Sequence, residues 1–330
     1  MLGALTLAHA PGAQAEDITF FRIGTGSTAG TYFPIGGIIA SGISKPPGSR
    51  ECEAGGSCGV PGLIAVVQST EGSVANVKGI ANGTLESGLS QADISFWAYR
   101  GEGKFKETGP IDSLRTIANL FPESMHLVVR RGSGIESVAD LRGKRVSLDR
   151  EGSGTRVDAL LVLKAFGIGL DDIEDVALAS GPAADRMRAE ELDAFFMIVG
   201  TPANAVANLA DDSLITLVPL VGPEVDKLRE TYPFFAQDRI PAGTYFNVPE
   251  TETLSVGAQW LVSAKLPDDL VYQVTRALWH PSTRRLLDGG HPKGKSINVF
   301  TALDGLVVPL HPGARRYYSE AGIPFPADTN

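Results

Sequence analysis

The sequence predicts an α/β protein of two domains with a ligand cleft between them, and three observations carry that prediction. A buried strand, a glycine-rich turn and the start of a helix follow one another within residues 20–37. The same order recurs around Leu63-Ile-Ala-Val-Val67 and again from Leu89 to Tyr99. A further Gly/Ser/Thr turn, Glu151-Gly-Ser-Gly-Thr-Arg156, opens a helix in the second half of the chain. Strands that end in polar turns leading into helices are the repeating unit of open α/β sheets, where ligands sit at the strands' carboxyl ends.

In the first unit Gly24, Gly26 and Gly30 let the backbone turn tightly and approach a ligand, with tight packing as the alternative use of the same glycines. Ser27, Thr28 and Thr31 place hydroxyls where the first N–H groups of the helix lack intrahelical partners, which makes the turn a candidate anion site. Tyr32, Ile35, Ile38, Ile39 and Ile43 recur at helical spacing, and Pro34 fits only a first turn. The spacing of the glycines is G-x-G-x-x-x-G, no acidic residue closes a second strand about 20 residues on, and no Gly-Lys-Ser/Thr follows. These features exclude the dinucleotide and P-loop fingerprints.

In the second unit Ser69, Thr70 and Ser73 stand where a helix cap would, so capping and ligand contact are both open to them. In the third, Gln91 and Asp93 fall near the strand's carboxyl end, while Trp97 and Tyr99 read as core or rim aromatics before they read as ligand platforms. Leu114 to Leu120 and His126 to Arg130 read as two strands separated by Phe121-Pro-Glu-Ser, where the chain crosses into the second domain. Ser137-Val-Ala-Asp140 reads as a capping box starting a helix that Gly143 ends. After the strand at residues 144–149 and the helix with Val157, Leu160, Leu161 and Leu163 on one face, residues 171–176 and a helix over 183–190 lead to the apolar strand at 192–199. Gly200-Thr201-Pro202 ends that strand. Residues 203–209, a strand at 214–219, a helix at 224–230 and a loop at 240–245 precede a returning strand at 255–263, and helices over 270–279 and 312–321 close the first domain. The expected boundaries are 16–122 with 248–330 for domain 1 and 123–247 for domain 2.

A length of 330 residues with 43% hydrophobic and 20% charged residues suits two folded domains. The net charge of −9, without a Lys/Arg-rich run, argues against nucleic acid and anionic membrane surfaces as partners. Residues 1–15 are small and apolar and end in Ala13-Gln14-Ala15, which reads as the back half of a secretory signal peptide. In an exported chain Cys52 and Cys58, six apart in a glycine-rich loop, are most simply a disulfide, and no second Cys or His pair stands at metal-ligand spacing. Catalytic residues are not legible: His126, His280, His291 and His311 are isolated, and carboxylates such as Asp149 and Glu151 read as solvated surface before they read as cleft groups. No cofactor and no metal are expected.

Five ordered stretches carry a family resemblance: residues 23–36, Ser69-Thr-Glu-Gly-Ser-Val-Ala-Asn76, Glu86-Ser-Gly-Leu-Ser-Gln-Ala-Asp93, Gly152-Ser-Gly-Thr155 and Ile240-Pro-Ala-Gly-Thr-Tyr245. Together they resemble the TAXI family, the solute-binding receptors of tripartite ATP-independent periplasmic (TRAP) transporters, over residues 18–324. The resemblance implies a type II periplasmic binding protein fold, a periplasmic location and a monomer that delivers a small organic anion to TRAP membrane permease subunits. It implies a small carboxylate ligand such as glutamate, glutamine, 2-oxoglutarate or a related dicarboxylate. By motif, the ligand contacts would be Ser27, Thr28, Thr31 and Tyr32, then Ser69, Thr70, Ser73 and Gln91, with Ser153 and Thr155 from the second domain; Trp97 and Thr201 complete the candidate set. Arg156 is a candidate carboxylate clamp by position, with a surface role as the alternative. Glu71 departs from the family, where many relatives carry glycine or a small polar residue, and adds negative charge near an anion site unless it faces solvent. An exported enzyme acting on a small molecule, or a sensor subunit, could use the same cleft.

Overall fold

The computed structural model describes residues 18–325, so residues 1–15, which read as the end of a signal peptide, lie outside the described residues. Among the described residues, twelve strands and ten α-helices follow one another. β1 (Thr19–Gly24), α1 (Tyr32–Ile43), β2 (Ser44–Lys45), β3 (Val60–Pro61), β4 (Leu63–Gln68), α2 (Ser73–Asn82), β5 (Ser87–Gln91) and α3 (Ala92–Arg100) form the first run. β6 (Leu114–Arg130), β7 (Arg145–Ser147), α4 (Gly154–Ala165), β8 (Glu174–Asp175), α5 (Ser180–Arg188), β9 (Ala194–Val199), α6 (Asn204–Asp211), β10 (Ile215–Val218), α7 (Pro223–Thr231) and β11 (Ala236–Ile240) form the second. β12 (Thr251–Ser263), α8 (Asp268–Leu278), α9 (Pro281–Gly290) and α10 (Pro312–Glu320) return to the first.

The strands are ordered β4-β1-β5-β12-β6-β9-β7-β8, with β10 on β6 and β11 on β12. β1 runs parallel to β4 and β5, as strand–helix–strand crossovers require. β6 and β12 run antiparallel and are the long members of the sheet. The first half of β6 pairs with β12, which also pairs with β5; the last residues of β6 pair with β9 and β10. These two strands therefore pass from one set of elements to the other.

Separate cores lie on the two sides of that passage. Ile35 and Ile39 of α1 pack with Phe21, Trp260, Val274 and Tyr318, while Val77, Ile94 and Phe105 fill the opposite face. Beyond the passage, Val162, Val146 and Phe196 form one core, and Phe195, Val206 and Tyr245 another. Helices on both faces of the sheet account for the fully buried run of β9.

Several expectations need correction. The two strands at 114–120 and 126–130 are one strand of 17 residues. Pro122 is accommodated because it is exposed and sits opposite Gly257, beside a register irregularity at Ala258/Gln259 where a missing N–H costs little. The capping box at Ser137 forms, but the helix is a 3₁₀ turn, Val138–Leu141, with Gly143 at φ 70° just beyond it. Residues 171–176 supply only the two-residue β8. α2 is preceded by Gly72 at φ 121°, so neither Ser69, Thr70 nor Ser73 caps it. Cys52 and Cys58 form a disulfide. Among the described residues no helix is long and apolar enough to cross a membrane.

Candidate functional site

Four helices begin at one small cavity between the two sets of elements. Its wall includes Thr31 and Tyr32 at the start of α1, Gly72 and Ser73 at the start of α2, Ser153, Gly154 and Thr155 at the start of α4, and Ser180 at the start of α5. Each start leaves backbone N–H groups without intrahelical acceptors and carries the positive end of a helix dipole. The cavity is about 60 Å³. A water needs about 10–15 Å³ on that measure, so a small metabolite is in scale and a nucleotide is not.

The strand ends supply the side chains between these helix starts. Gln91 closes β5; its N–H donates to Ser73 Oγ at 3.1 Å and its Nε2 donates to Asp158 Oδ2 at 2.7 Å. Ser153 accepts from Thr155 N–H at 3.1 Å, capping α4, and donates to Asp149 Oδ2 at 3.1 Å. Thr155 Oγ1 accepts from Ile198 N–H at 3.1 Å, which fixes α4 against β9. Asp149 holds φ at 73°, an uncommon conformation for a non-glycine residue and one found at functional sites.

Charge in the cavity wall is acidic: Glu71, Glu123 and Asp149 are present and neither lysine nor arginine is. Glu123 is buried and accepts from Tyr32 Oη at 2.6 Å. Burial pushes its carboxyl up to about 8, against opposing effects from that hydrogen bond and from Lys293. Burial likewise pushes Asp149 up to about 6, limited by hydrogen bonds from Arg150 N–H and Ser153. Glu71 is exposed at the rim, and its side chain lies so close to Gly152 that a Cβ there would overlap it.

Direct hydrogen bonds cross the cleft. Ala75 N–H donates to Gly152 O at 3.0 Å, Thr31 Oγ1 to Gly200 O at 2.7 Å, and Ser180 Oγ to Ser27 Oγ at 3.2 Å. The cleft is thus closed. Such contacts are exchangeable for water, which is what a hinged binding site needs.

Of the residues expected from sequence, Ser27, Thr31, Tyr32, Ser73, Gln91, Ser153 and Thr155 line the cavity together. Thr28, Ser69, Thr70, Trp97, Arg156 and Thr201 do not. Thr28 is exposed. Ser69 and Thr70 donate to Gly26 O and Thr25 O, holding the two glycine turns together. Trp97 packs edge-on against Tyr232 and Phe234, at 5.9 and 5.1 Å between centroids. Thr201 precedes Pro202 past the end of β9. Arg156 turns away and pairs with Asp175 at 2.6 Å and Glu151 at 2.8 Å. Arg156→Ala should therefore lower stability by about 2 kcal/mol, since Asp175 is left largely buried without its partner, yet change ligand affinity less than threefold. Urea unfolding and titration calorimetry measure the two separately.

Glu123 and Ser180 went unassigned in the sequence, and Asp149, read there as solvated surface before cleft group, belongs to the cavity wall, whereas Glu151 is exposed as expected. Glu123 sits within a stretch read as a linker; its signal is a lone carboxylate inside one continuous strand. Asp149 ends a strand immediately before the Gly/Ser turn, and Ser180 opens α5 with Gly181 and Pro182.

A model described as the NMT1-like family matches residues 23–322. MatC from Rhodopseudomonas palustris with bound malate is similar in structure, with a TM-score of 0.57, 12% identity, and coverage of 92% of this chain and 96% of that one. A periplasmic transporter matches at TM-score 0.52 and 16% identity, covering 84% and 89%. A protein of Bordetella bronchiseptica RB50 matches at 0.51 and 12%, covering 94% and 84%. At these identities the likeness is one of fold, that of the periplasmic binding proteins.

Proposed function

The chain belongs to the NMT1-like family, which includes the TAXI-type binding proteins of TRAP transporters, and from that premise we propose that it is a periplasmic solute receptor. It closes on a small carboxylate and delivers it, as a monomer, to TRAP membrane permease subunits. Within the described residues, the closing bodies are 18–122 with 248–325 and 123–247, hinged where β6 and β12 pass between them. The observation that carries this reading is the convergence of four helix N-termini on one small polar cavity. Helix starts bind a carboxylate through N–H groups without a cationic side chain, and release it when the cleft opens. Seven residues, Ser27, Thr31, Tyr32, Ser73, Gln91, Ser153 and Thr155, are the proposed contacts.

Among glutamate, glutamine, 2-oxoglutarate and related dicarboxylates, the acidic wall favours the two amino acids. An ammonium group has Glu71 and Asp149 as partners, whereas a second carboxylate meets them with like charge and with no arginine in compensation. Thermal-shift measurements on refolded, ligand-stripped protein test the proposal. At a hundredfold excess over its dissociation constant, L-glutamate or L-glutamine should add about 2.7 kcal/mol of stability, while 2-oxoglutarate and malate add less than a third of that. A shift with 2-oxoglutarate alone would overturn the amino-acid preference. Silence with all four, on folded protein, would overturn the carboxylate receptor.

A further inference from the structure

Resting on the reading of a cleft that closes, we propose that closure is linked to a proton. Asp93, at the start of α3, and Asp158, on α4 across the cleft, meet in the closed form as one carboxylic acid and one carboxylate sharing that proton. Both side chains are wholly buried, and they face each other within hydrogen-bonding reach. Neither oxygen of Asp93 nor Asp158 Oδ1 has a well-formed hydrogen bond to another described group, although the N–H groups of Asp93 and Ile94 lie close to Asp93. Asp158 Oδ2 accepts from Gln91 Nε2 at 2.7 Å.

Among the described residues, no cation acts on the pair directly, and Lys293 reaches only its neighbour Glu123. Gln91 comes from β5, Tyr32 from α1 and Glu123 from β6, the last a further acid. Two buried carboxylates in contact cannot both ionise, because repulsion adds to the loss of hydration. Burial accordingly pushes both groups up, and Asp93 adds to the rise of Asp158. When the cleft opens, each carboxyl regains water and both ionise at neutral pH. Closing then takes one proton from water onto one carboxylate oxygen, and nothing else changes hands. The pair titrates as a unit, so the proton belongs to neither residue alone.

Titration calorimetry of the full chain with L-glutamate at pH 7.5, run in phosphate and in Tris, counts protons through the different ionisation heats of the two buffers. Asp158→Asn keeps an acceptor for Gln91 and offers Asp93 a permanent donor, so it should take up about one proton fewer than wild type. It should also lose a fall in affinity of up to about tenfold per pH unit on the alkaline side. Glu123 and Asp149 titrate in both proteins, and the difference isolates the pair. Asp93→Asn is the second variant and should behave alike. Equal proton counts in wild type and in both variants would overturn the proposal. Should L-glutamate give neither heat nor a thermal shift, the choice of ligand fails separately, and small-angle scattering of ligand-free protein between pH 5 and 9 decides. Expansion with rising pH in wild type and not in Asp158→Asn supports the shared proton; identical curves overturn it.

Discussion

Gly154→Val should abolish ligand binding while leaving the ligand-free protein folded. A Cβ at position 154 would overlap Gln91 Oε1 and stand 3.0 Å from Ser73 Oγ, both on the facing side of the cleft. Gln91 cannot easily move, because Ser73 and Asp158 hold it through its N–H and its Nε2. The backbone at 154 is ordinary α-helix at its first residue, so valine strains nothing locally beyond its stiffness. The clash exists only when the cleft is closed, and opening the hinge removes it. A ligand that must hold the cleft shut then works against a steric cost, and a penalty of about 3 kcal/mol already weakens binding more than a hundredfold. Calorimetry with L-glutamine or L-glutamate reads the affinity, and thermal unfolding without ligand should stay within a few degrees of wild type. Unchanged affinity would show that Gly154 does not meet Gln91 in the bound state. Alanine, which lacks the branches of valine, should give an intermediate loss.

Local order was legible where periodicity and turn chemistry agree. α1 starts at Tyr32 as its isoleucine spacing and Pro34 require, and the glycine turn before it ends on the cavity. The Gly/Ser/Thr turn at 151–156 likewise opens α4, with Ser153 as its cap. What sequence could not distinguish is which hydroxyl of a polar turn faces a ligand and which braces a neighbouring turn. Ser69 and Thr70 have the same chemistry as Ser73, yet they donate to the backbone of residues 25 and 26 while Ser73 faces the cavity. Orientation there depends on Gly72 at φ 121°, a torsion that composition does not disclose. Arg156 misleads for a related reason, since its partners Asp175 and Glu151 come from β8 and the preceding turn and meet it only in the fold. The segment around α9 carries few apolar residues, and Leu287 and Thr283 are what it buries. The acidic wall escaped because Glu123 and Asp149 are apart in sequence and converge through β6 and the end of β7.

Glu123→Gln should stabilise the protein at pH 8 and leave it unchanged at pH 4.5. Glu123 is held neutral by burial, with its carboxyl pushed up from 4.5 to about 8. Below 4.5 the folded and unfolded chains both carry the proton, and stability does not depend on this group. Between 4.5 and about 8 the unfolded chain is ionised while the folded one is not, so unfolding releases a proton and stability falls as pH rises. Above about 8 both are ionised and the whole cost is present. At about 1.4 kcal/mol per pH unit, that interval sets a ceiling of about 5 kcal/mol. Glutamine keeps the acceptor for Tyr32 Oη and cannot ionise, so it should recover most of that ceiling at pH 8. Urea unfolding of both proteins at pH 4.5, 6 and 8 should give curves that coincide at the first value and separate progressively. The same substitution separates two uses of this buried acid. If Glu123 serves the ligand only as a neutral hydrogen-bonding group, Glu123→Gln binds L-glutamate as tightly at pH 6 and more tightly at pH 9. If the ligand's ammonium draws Glu123 into its ionised form, the variant binds at least tenfold more weakly at both.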